Sequence, residues 1–492
     1  MRILIFHGYL LRGTGSNIYN ASLARALASL GHEVHLVCQE RALGDLDLPP
    51  EVVVHNPEIG RVLPVYVADP YEGFEAVAFP ELDEHALDLY LEANVRAVRE
   101  VAEAARPDVA LANHLVMGPV ILARALEGRV PYAVKVHGSA LEYTVRPHPE
   151  RFLPYALEGL AGASGVLVGS RHTAESLWEV TGDDTVRSRT RLGPPGVDVH
   201  AFQPRSIRDA TEALAGLADR LEQASEASWG GESGAGAALR TLDPAQDRIV
   251  SFVGKLIVSK GVDLLLAAWP LVVAAQPAAR LVIVGFGTYR DGLGRVVDAL
   301  ANADLGALYE IARAGRTLEG GPPGELGYLM AFLDGLEGGA REAYLATAPA
   351  AAARVVFTGR LEHSDLPALL PACEAQVVPS TFPEAFGMVA AEAAACGALP
   401  LSAGHSGLAE VSDTLREALE PELRDLLSFE AGPGAVSEIA EKLVTWLSTP
   451  AEQRRQASAA LSALARRRYG WEGVADGVIA AAEGRLDDLP EP

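Results

Sequence analysis

The sequence predicts an α/β protein made of two doubly wound, Rossmann-like domains, each built on a parallel β-sheet. Ten short apolar runs rich in β-branched residues alternate with segments of helix length. Strands that are apolar throughout are typical of parallel sheets covered by helices on both faces. The runs fall into two sets of five, and 492 residues exceed the length of one ordinary domain. These observations together favour two domains.

The predicted strands follow one another along the chain in these two sets. The first set is RILIF from Arg2, EVHLVC from Glu33, DVALA from Asp108, YAVKV from Tyr132 and GVLVG from Gly165. The second set is IVSFVG from Ile249, RLVIVG from Arg280, RVVFTG from Arg354, AQVVPS from Ala375 and ALPLSA from Ala398. Helix-length segments separate the strands, as in a doubly wound sheet.

The domain boundary is predicted within LGPPGVDVHAFQP, where Pro194, Pro195 and Gly196 interrupt the pattern. Residues 1–195 then form the N-terminal domain and residues 196–470 the C-terminal domain. A last helix at about 471–486 is expected to pack back on the N-terminal domain. Residues 205–247 and 288–351 are interpreted as insertions; the first contains a flexible surface excursion at 226–237, and the second is mostly helical.

The composition excludes several kinds of partner and site. With 41 Lys and Arg against 65 Asp and Glu, the formal net charge is −24, so nucleic acid and anionic bilayers are poor general partners. The spacing of Cys38, Cys373 and Cys396 argues against zinc and favours a reducing cytoplasm. No signal peptide is visible, and the longest uncharged run, 264–279, is too short for a membrane span. We therefore expect a cytoplasmic protein.

Two acids stand in the otherwise nearly uncharged stretch STFPEAFGMVAAEAAACG. A helix over MVAAEAAAC, stopped by Gly397, places Glu384 in the preceding loop and Glu392 inside the helix. A helix N-terminus favours a phosphate, and Glu392 could accept from ribose hydroxyls beside it while Glu384 lies a sugar's length beyond it. The simpler interpretation is a capping acid and a surface acid. The predicted donor-binding turn comprises Phe386, Gly387, Met388 and Val389.

A pair of lysines flanks one strand-to-helix loop in FVGKLIVSKGVDLLLAA. Gly254 makes the turn after the strand, and Ser259 is the expected N-cap of a helix that opens at Lys260. Lys255 and Lys260 would then lie at the carboxyl edge of the sheet, where ligands bind in such folds. Two cations there suit a diphosphate leaving group, because they would neutralise its developing charge. The alternative is two solvated surface lysines.

The loop after the first strand, in HGYLLRGTGSNIYNASLARALASLG, is rich in glycine. Gly13 and Gly15 would let the backbone approach a ligand closely, and Ser16 is the expected N-cap of the following helix. A dinucleotide fingerprint with Glu40 as the ribose acid is disfavoured, since Ile18 stands where the third glycine belongs. On its own this loop is also consistent with a simple tight turn.

Two histidines follow neighbouring strands of the N-terminal domain. His137 in VKVHGS and His114 in ANHLVMG stand at the carboxyl ends of their predicted strands, so both are expected to face one crevice. His137 could donate a hydrogen bond to a substrate hydroxyl or carbonyl oxygen. His114 is a candidate contact for a second substrate. For either residue a satisfied structural histidine is the alternative.

The loop VADPYEGFEAVAFPEL offers aromatic side chains, Tyr71, Phe74 and Phe79, beside acids. Aromatics with acids suit a neutral, hydroxyl-rich acceptor such as a sugar or a polyol, for which Tyr71 and Phe74 are the candidate contacts. They are equally consistent with packing residues in an ordinary loop. An anionic lipid would require a basic amphipathic surface, which this domain does not show.

These pieces, in this order, resemble the retaining glycosyltransferases of family 4, whose GT-B fold has two Rossmann-like domains facing across a cleft. The matching phrases are the Gly-rich first loop, VHGS, GPPGVDVHAFQP, FVGKLIVSKGVDLLLAA, LVIVGFG and above all VPSTFPEAFGMVAAEAAACGALPLSA. They extend over both halves of the chain, from residue 1 to about residue 406. The last phrase carries the E-x7-E pair, Glu384 and Glu392.

The resemblance implies a role for each residue of the C-terminal domain. Glu384 would touch the donor sugar, and Glu392 would bind the nucleotide ribose. Lys255 and Lys260 would hold the diphosphate. Lys255 stands where the family usually has arginine, so this contact keeps its charge but loses the bidentate fork.

The implied reaction moves a sugar from a nucleoside diphosphate donor to an acceptor hydroxyl with its anomeric configuration kept, without a metal or another cofactor. Gly15 would let the N-terminal loop close on the diphosphate, and His137 would hydrogen-bond the donor sugar. No residue stands out as a covalent nucleophile, which favours a same-face substitution in which the departing diphosphate oxygen helps deprotonate the acceptor. The hinge at 194–196 predicts closure over the donor.

Other function classes remain alternatives on the same scaffold. An epimerase would act on the nucleotide sugar alone, and a phosphorylase would use inorganic phosphate instead of a nucleotide. A non-catalytic nucleotide-sugar sensor would keep the site and use the two insertions as partner surfaces. An NAD-dependent dehydrogenase is disfavoured by the failed glycine spacing.

Overall fold

The computed structural model of the chain describes residues 1–12, 15–46, 48–66, 73–223 and 231–492. These residues form two compact units. Met1–Gly196 and Tyr469–Pro492 make up the N-terminal unit, and Val197–Arg468 make up the C-terminal unit. The division lies one residue from the boundary that the prolines and glycine predict.

The N-terminal unit is built on a parallel sheet with helices on both faces. Its strands are β1 (Arg2–Phe6), β2 (Glu33–Val37), β3 (Val52–His55), β4 (Val62–Val65), β5 (Glu75–Ala78), β6 (Val109–Asn113), β7 (Tyr132–Val136), β8 (Gly165–Val168) and β9 (Thr190–Leu192). Its first helices are α1 (Gly15–Ser29), α2 (Glu84–Ala105), α3 (Gly118–Leu126), α4 (Pro149–Ala161), α5 (Arg171–Thr181) and α6 (Asp184–Arg189). Seven strands pair in the order β3-β2-β1-β6-β7-β8-β9, and β4 pairs with β5 separately.

The first strand shows why the sheet is covered on both sides. Successive side chains of a strand point to opposite faces. Leu4 and Phe6 pack in the core that includes residues of α2, α3 and α4, whereas Ile3 and Ile5 pack in the core with α1. All four side chains are buried. A strand that is apolar throughout is therefore the correct signal of a buried parallel strand.

The C-terminal unit repeats this architecture with a six-stranded parallel sheet. Its strands are β10 (Arg248–Val253), β11 (Ala279–Val284), β12 (Val355–Gly359), β13 (Ala375–Val378), β14 (Leu399–Ala403) and β15 (Ser428–Phe429), paired in the order β12-β11-β10-β13-β14-β15. Its helices are α7 (Ile207–Gln223), α8 (Ala235–Leu239), α9 (Val262–Ala275), α10 (Arg290–Ala301), α11 (Leu305–Ala314), α12 (Gly327–Asp334), α13 (Gly338–Ala352), α14 (Leu366–Leu369), α15 (Met388–Ala395), α16 (Ser406–Arg416), α17 (Ala435–Ser448) and α18 (Ala451–Tyr469).

The two segments interpreted as insertions have different characters. The segment between β11 and β12 is helical as expected, and α10 and α13 pack against α9. Part of the expected surface excursion, 226–230, lies outside the described residues. Its last residues are not a surface excursion, because α8 packs on α7 and β12 with Leu239 fully buried. Gly236 permits this contact, since a Cβ there would lie 2.5 Å from the carbonyl oxygen of Ala218.

The last helix, α19 (Trp471–Glu483), belongs to the N-terminal unit and packs against α1. Ala475, Val478 and Ala481 are buried in the core that α1 shares. A Cβ on Gly196 would lie 2.4 Å from the indole of Trp471, so the residue that ends the first part of the unit must be glycine to fit beneath the ring. The helix ends before Gly484, which has a left-handed φ of 77°.

Glu374 joins several elements of the C-terminal unit, and we expect its replacement to destabilise the protein. Its carboxylate accepts from Arg248 at 2.8 Å and from Arg454 at 3.1 Å, and the Arg454 side chain is only 8% exposed. Glu374→Gln leaves that guanidinium without its counter-charge, which should lower the free energy of unfolding by about 2 kcal/mol. Urea unfolding measures the change. Glu452→Gln, which removes an exposed pair with Arg455, is the control and should leave the urea midpoint unchanged.

Candidate active site

The acid Glu384 lies in the loop between β13 and α15, where Lys260 and Ser380 hold it. Lys260 Nζ donates to Oε1 of Glu384, and Ser380 Oγ donates to the same oxygen at 2.6 Å. Oε2 makes no hydrogen bond in the part of the chain that the structure describes. The side chains of Lys260 and Glu384 remain 28% and 23% exposed. One carboxylate oxygen is thus fixed, and the other is available to a ligand.

The environment of Glu384 keeps it ionised. Burial acts to raise its pKa, but the charge of Lys260 and the hydrogen bonds from Lys260 and Ser380 outweigh that effect, so the pKa lies below its usual value. At neutral pH the group is therefore a carboxylate, which accepts hydrogen bonds and cannot donate one. The loop presents a fixed negative charge beside a fixed positive one.

The loop that carries Lys260 differs from the sequence prediction at its helix start. Helix α9 begins at Val262, so the expectation that Ser259 caps a helix opening at Lys260 is wrong. Residues 258–260 form a 3-10 turn, and Gly261 follows with φ of 65°. A Cβ on Gly261 would lie 2.0 Å from the carbonyl oxygen of Pro379. Glycine therefore lets this loop cross the end of β13 closely enough for Lys260 to reach residues 379–387, the acid loop that carries Glu384.

Lys255, at the other end of the same loop, is half-buried. The backbone before it packs on the segment that follows β11. A Cβ on Gly285 would lie 1.8 Å from the carbonyl oxygen of Gly254, and one on Gly287 would lie 2.3 Å from that of Leu256. Two glycines without side chains thus allow the two strand ends to touch through their backbones. This contact fixes the path of the chain around Lys255.

The N-terminus of α15 has the form of an anion site. Gly387 is its N-cap and supplies no side-chain hydrogen bond. The first N–H groups of an α-helix lack acceptors within the helix, and their dipoles favour negative charge. Phe386, Met388 and Val389 around this turn are half-buried. The turn that the sequence assigns to donor binding is therefore left uncapped by its own N-cap residue.

Glu392 lies in the middle of α15 and is only 2% exposed, so the interpretation of a surface acid is wrong. His363 Nε2 lies 2.7 Å from its Oε1, and since a carboxylate only accepts, that nitrogen carries the hydrogen. The His363 ring in turn packs on Phe202, with centroids 5.1 Å apart. The sequence analysis missed His363, because it is 29 residues from its partner on a turn of its own.

In the N-terminal unit, Asn113 fixes the proton of His137. Asn113 Nδ2 donates to the carbonyl of Phe6 at 3.1 Å and to Asn20 Oδ1 at 2.8 Å. Because a backbone carbonyl can only accept, the amide nitrogen of Asn113 faces Phe6 and its oxygen faces the other way. That oxygen lies 2.7 Å from His137 Nε2. His137 therefore carries its hydrogen on Nε2.

The neutral ring of His137 then exposes a bare Nδ1. Burial, followed by the neighbouring His114, Lys135 and His7, holds its pKa well below the usual value, so the ring is neutral at physiological pH. Nδ1 makes no hydrogen bond within the described residues. A bare ring nitrogen accepts, so the expectation that His137 donates is wrong for this state.

The hydrogen-bond chain continues through Asn20 to His7 at the end of β1. Asn20 Nδ2 lies 3.0 Å from His7 Nδ1, and His7 Nε2 lies 2.9 Å from Asn17 Oδ1. Burial lowers the pKa of His7 to about 4, against the opposing effect of the Asn17 hydrogen bond. The sequence analysis did not single out these residues, because no spacing rule connects α1 with the ends of β1 and β6.

His114 lies beside His137, with ring centroids 4.9 Å apart, but it is buried rather than exposed in a crevice. Its ring is enclosed by His7 and by two tyrosines, Tyr9 and Tyr66, and neither of its nitrogens has a hydrogen-bond partner among the residues that the structure describes. Its backbone is left-handed, with φ of 69°. A side chain that is 2% exposed offers almost no surface to an acceptor.

The Gly-rich loop after β1 is described in part. Gly15 is exposed and opens α1, so Ser16 lies inside the helix and is not its N-cap. Gly13 lies outside the described residues. Glu40 is 2% exposed and pairs with Arg12 at 3.1 Å, so this acid anchors the loop and does not face a ribose.

The aromatic residues of the loop proposed for the acceptor differ in how far the structure describes them and in how deeply they are buried. Tyr71 lies outside the described residues. Phe74 packs against Tyr9, Leu63 and Val65, and Phe79 is fully buried. For Phe79 the alternative interpretation, a packing residue, is the correct one. Phe74 is only half-buried, so its contact with an acceptor stays a prediction.

The described ranges contain no disulfide bond. Cys38, Cys373 and Cys396 are buried free thiols. No group of three or more His, Cys, Asp or Glu in these ranges could hold a metal ion. None of the helices in these ranges has both the length and the apolar character needed to cross a membrane.

Comparison with known families and structures decides the class of protein. Residues 14–196 match the glycosyl transferase 4-like domain and residues 335–460 match the glycosyl transferases group 1 family, one range in each unit. The fold is similar to that of sucrose-phosphate synthase from Thermosynechococcus elongatus, with TM-score 0.61, 18% identity and 99% of both chains covered. The chain is a glycosyltransferase with the GT-B fold. The fold class expected from the resemblance is thereby confirmed.

Two curated relatives of this glycosyltransferase share one name, and another protein of similar fold was solved with a nucleotide and a sugar. It is 26% identical over 475 residues to a D-inositol 3-phosphate glycosyltransferase of Xylanimonas cellulosilytica, covering 94% of this chain and 90% of the relative. The enzyme of that name from Mycobacterium tuberculosis is 26% identical over 404 residues. The matched region covers 80% of this chain and 65% of the relative. Anabaena HepE, solved with UDP and glucose, aligns with TM-score 0.58 and 18% identity over 98% of this chain and 99% of its own.

Replacing His114 with Phe should make the glycosyltransferase less sensitive to acid. Burial, with His7 nearby, lowers the pKa of His114 well below its usual value, so the folded ring stays neutral. An unfolded histidine takes up a proton below about pH 6.5, so folding loses stability as the pH falls through that value. His114→Phe removes this proton uptake and breaks no hydrogen bond within the described ranges, since the ring nitrogens have no partner there.

Urea unfolding at two pH values checks this prediction. Relative to the wild type, His114→Phe should gain about 2 kcal/mol more unfolding free energy at pH 5 than at pH 8. His85→Gln, at an exposed position of α2, is the control and should show the same difference from wild type at both pH values. An equal gain for His114→Phe at pH 5 and pH 8 would contradict the assignment of a buried neutral ring.

Proposed function

We propose that this glycosyltransferase moves a hexosyl group from a nucleoside diphosphate sugar to an acceptor hydroxyl, with retention of the anomeric configuration and without a metal ion. One observation carries the proposal: Glu384, ionised and half-buried, is paired with Lys260. Glu384 lies on the loop that leads directly into the N-terminus of α15, which its own N-cap residue leaves uncapped. The cation and the first N–H groups of α15 match the diphosphate of such a donor, and the anion matches the hydroxyls of its sugar.

The diphosphate would bind at the positive end of this arrangement. Lys255 and Lys260 bracket one loop, and the first N–H groups of α15 add partial positive charge. Charge-assisted hydrogen bonds from such groups stabilise a departing diphosphate, which is the task a metal ion performs in other enzymes. We therefore assign Lys260 two contacts, one with Glu384 and one with the phosphate.

The nucleotide ribose would bind at Glu392. His363 occupies Oε1 of this buried acid and leaves Oε2 for the ribose hydroxyls. Hydrogen bonds to an ionised acceptor are the strong ones, so a buried carboxylate holds a diol well. HepE, a protein of similar fold, was solved with UDP and glucose, which supports a nucleoside diphosphate as the ligand here.

The sugar itself would be held by an acceptor. Glu384 keeps Oε2 for a sugar hydroxyl. In its ionised state this carboxylate can only accept, so a sugar with a hydroxyl at that place would be selected over a deoxy analogue. The donor sugar is thus recognised through hydrogens that it donates.

The chemistry we propose is a same-face substitution at the anomeric carbon. The bond from that carbon to the diphosphate oxygen breaks, the bond to the acceptor oxygen forms on the same face, and the acceptor proton moves to the departing phosphate oxygen. Glu384 is a poor nucleophile for a covalent route, because Lys260 and Ser380 already use one oxygen and lower its pKa. Its role is to hold the sugar and favour positive charge at the reacting carbon.

The acceptor we propose is a neutral, hydroxyl-rich molecule. The name of the curated relatives indicates a phosphorylated polyol as the second candidate. Two cations of the N-terminal unit are engaged elsewhere: Arg12 pairs with Glu40, and Lys135, whose pKa burial lowers to about 7, donates to the carbonyl of Gly193. A phosphate would have to compete for them, which favours the neutral acceptor.

Binding of nucleoside diphosphates tests the donor site. One nucleoside diphosphate should raise the thermal midpoint, since it binds only the folded protein. Glu392→Ala should abolish this shift, because the ribose loses its acceptor. Glu384→Gln should keep the shift and lower kcat about 100-fold, because it weakens an interaction made in the transition state. Glu452→Gln, on the exposed face of α18, should behave as the wild type.

Product analysis separates the transferase from its rivals. We expect nucleoside diphosphate to be released rapidly only when an acceptor is present, whereas an epimerase needs no acceptor and a phosphorylase needs inorganic phosphate. Proton NMR of the product should show the anomeric configuration of the donor. An inverted product, or a glycosyl adduct trapped on a carboxylate, would contradict the proposed chemistry. A failure of every nucleoside diphosphate to bind would contradict the donor site itself.

A further inference from the structure

The peptide groups of Glu384 are bound on both sides by the first turn of α16. Its N–H donates to Ser406 Oγ at 2.9 Å, and its carbonyl accepts from the N–H of Gly407 at 2.9 Å. A Cβ on Gly407 would lie 2.7 Å from the carbonyl of Ala385, so glycine is required for this approach. The acid loop is therefore fixed to α16 at the residue whose side chain the proposed reaction uses.

His405 extends this attachment to the start of the acid loop. Its Nε2 lies 2.8 Å from the carbonyl oxygen of Ser380, and its Nδ1 lies 3.0 Å from Ser406 Oγ. A carbonyl only accepts, so Nε2 carries the hydrogen in the neutral ring and Nδ1 is bare. Ser406 Oγ accepts from Glu384 and can give its own hydrogen to Nδ1. One neutral tautomer thus satisfies every group in the chain.

Ser406 adopts a backbone conformation that is unfavourable for a residue with a side chain. Its φ is 52°, in the left-handed region that glycine adopts without cost. Serine at this place loses backbone stability and contributes a hydroxyl that glycine lacks. Strained residues of this kind are found where the surrounding contacts over-determine them. Here those contacts are the two hydrogen bonds of Oγ.

From these contacts we propose that His405 and Ser406 are positioning residues that hold Glu384 where the transfer requires it. The inference rests on the proposed function, in which Glu384 acts on the donor sugar. Lys260 and Ser380 fix the carboxylate from the side chain, whereas His405 and Ser406 fix the peptide that carries it. Neither positioning residue touches the donor in this proposal. Their loss should therefore lower turnover and leave nucleotide binding unchanged.

Two substitutions of Ser406 separate positioning from folding. Ser406→Ala removes Oγ and keeps the strained φ, whereas Ser406→Gly removes Oγ and relieves the strain. Both should lower kcat about 10- to 100-fold, as expected for a catalytic group displaced by about 1 Å. The nucleoside diphosphate Kd should stay within about twofold of wild type, because Glu392, the lysines and the α15 N-terminus are intact. Ser406→Gly should be at least as stable as wild type.

Two substitutions of His405 each remove one of its two hydrogen bonds, to Ser380 or to Ser406. His405→Gln can still donate to the carbonyl of Ser380 but loses the acceptor for Ser406 Oγ. His405→Asn, with its shorter side chain, can still accept from Ser406 Oγ but loses the hydrogen bond to Ser380. Each should lower kcat less than Ser406→Ala does. Nitrogen NMR of labelled histidine should show the Nε2-protonated tautomer for His405 in the wild type. Combined with Ser406→Gly, either variant should add little further loss, since the contacts act as one unit.

A matched control lies on the same helix. Ser412 is 2% exposed, and its Oγ donates to the carbonyl of Leu427 at 3.1 Å. Ser412→Ala removes a buried serine hydrogen bond of α16 without touching the acid loop, and it should leave kcat unchanged.

The outcomes also distinguish this inference from the function on which it rests. If Ser406→Gly has the kcat of the wild type while the separate variant Glu384→Gln is impaired, the positioning role alone is overturned. Unimpaired turnover by Glu384→Gln would overturn the proposed role of Glu384 and the inference with it. An equal loss of kcat and nucleotide affinity in Ser406→Gly would indicate a general structural role and would also overturn the proposal.

Discussion

The ion pair between Lys260 and Glu384 is the interaction on which the C-terminal site depends. Each side chain is mostly buried. Burial of an ionisable group without a charged partner shifts its pKa so that the neutral form is favoured. Beside Lys260 the pKa of Glu384 lies below its usual value although burial opposes this. The pair also joins the loop after β10 to the loop after β13, which the N–H of Thr381 further connects by donating to the carbonyl of Ser259 at 2.8 Å. Gly261 makes this possible, because a side chain there would collide with the carbonyl of Pro379.

In both units a neighbouring group holds a polar side chain of the candidate site by a hydrogen bond. In the N-terminal unit, the carbonyl of Phe6 orients Asn113, and Asn113 in turn places the hydrogen of His137 on Nε2. In the C-terminal unit, Ser380 supports Glu384 and His363 supports Glu392. In each case the supporting contact leaves one atom of the supported group available, and at His137 it also decides that this atom accepts. A site of acceptors suits a substrate rich in hydroxyl groups.

The sequence predicts the interior of the fold well and its margins poorly. All ten predicted strands are present, because a strand buried on both faces is apolar throughout. The strands that it missed, β3, β4, β5, β9 and β15, have four residues or fewer, and several are partly exposed. Among the site residues, Glu384 and Glu392 are recognisable since acids stand out in an uncharged stretch. His363, His405 and Ser406 are not, because their contacts join different loops. The cap assigned to Ser259 failed because the close crossing at Gly261 overrides a local preference.

A double-mutant cycle on Lys260→Ala and Glu384→Gln, measured as kcat/KM for the nucleoside diphosphate sugar, tests the central claim most directly. If the two residues act as one charged unit, the double variant should lose less than the sum of the single losses. We expect a coupling free energy of at least about 1 kcal/mol. Strictly additive losses would show that the two side chains act independently, and would contradict the site described for the C-terminal unit.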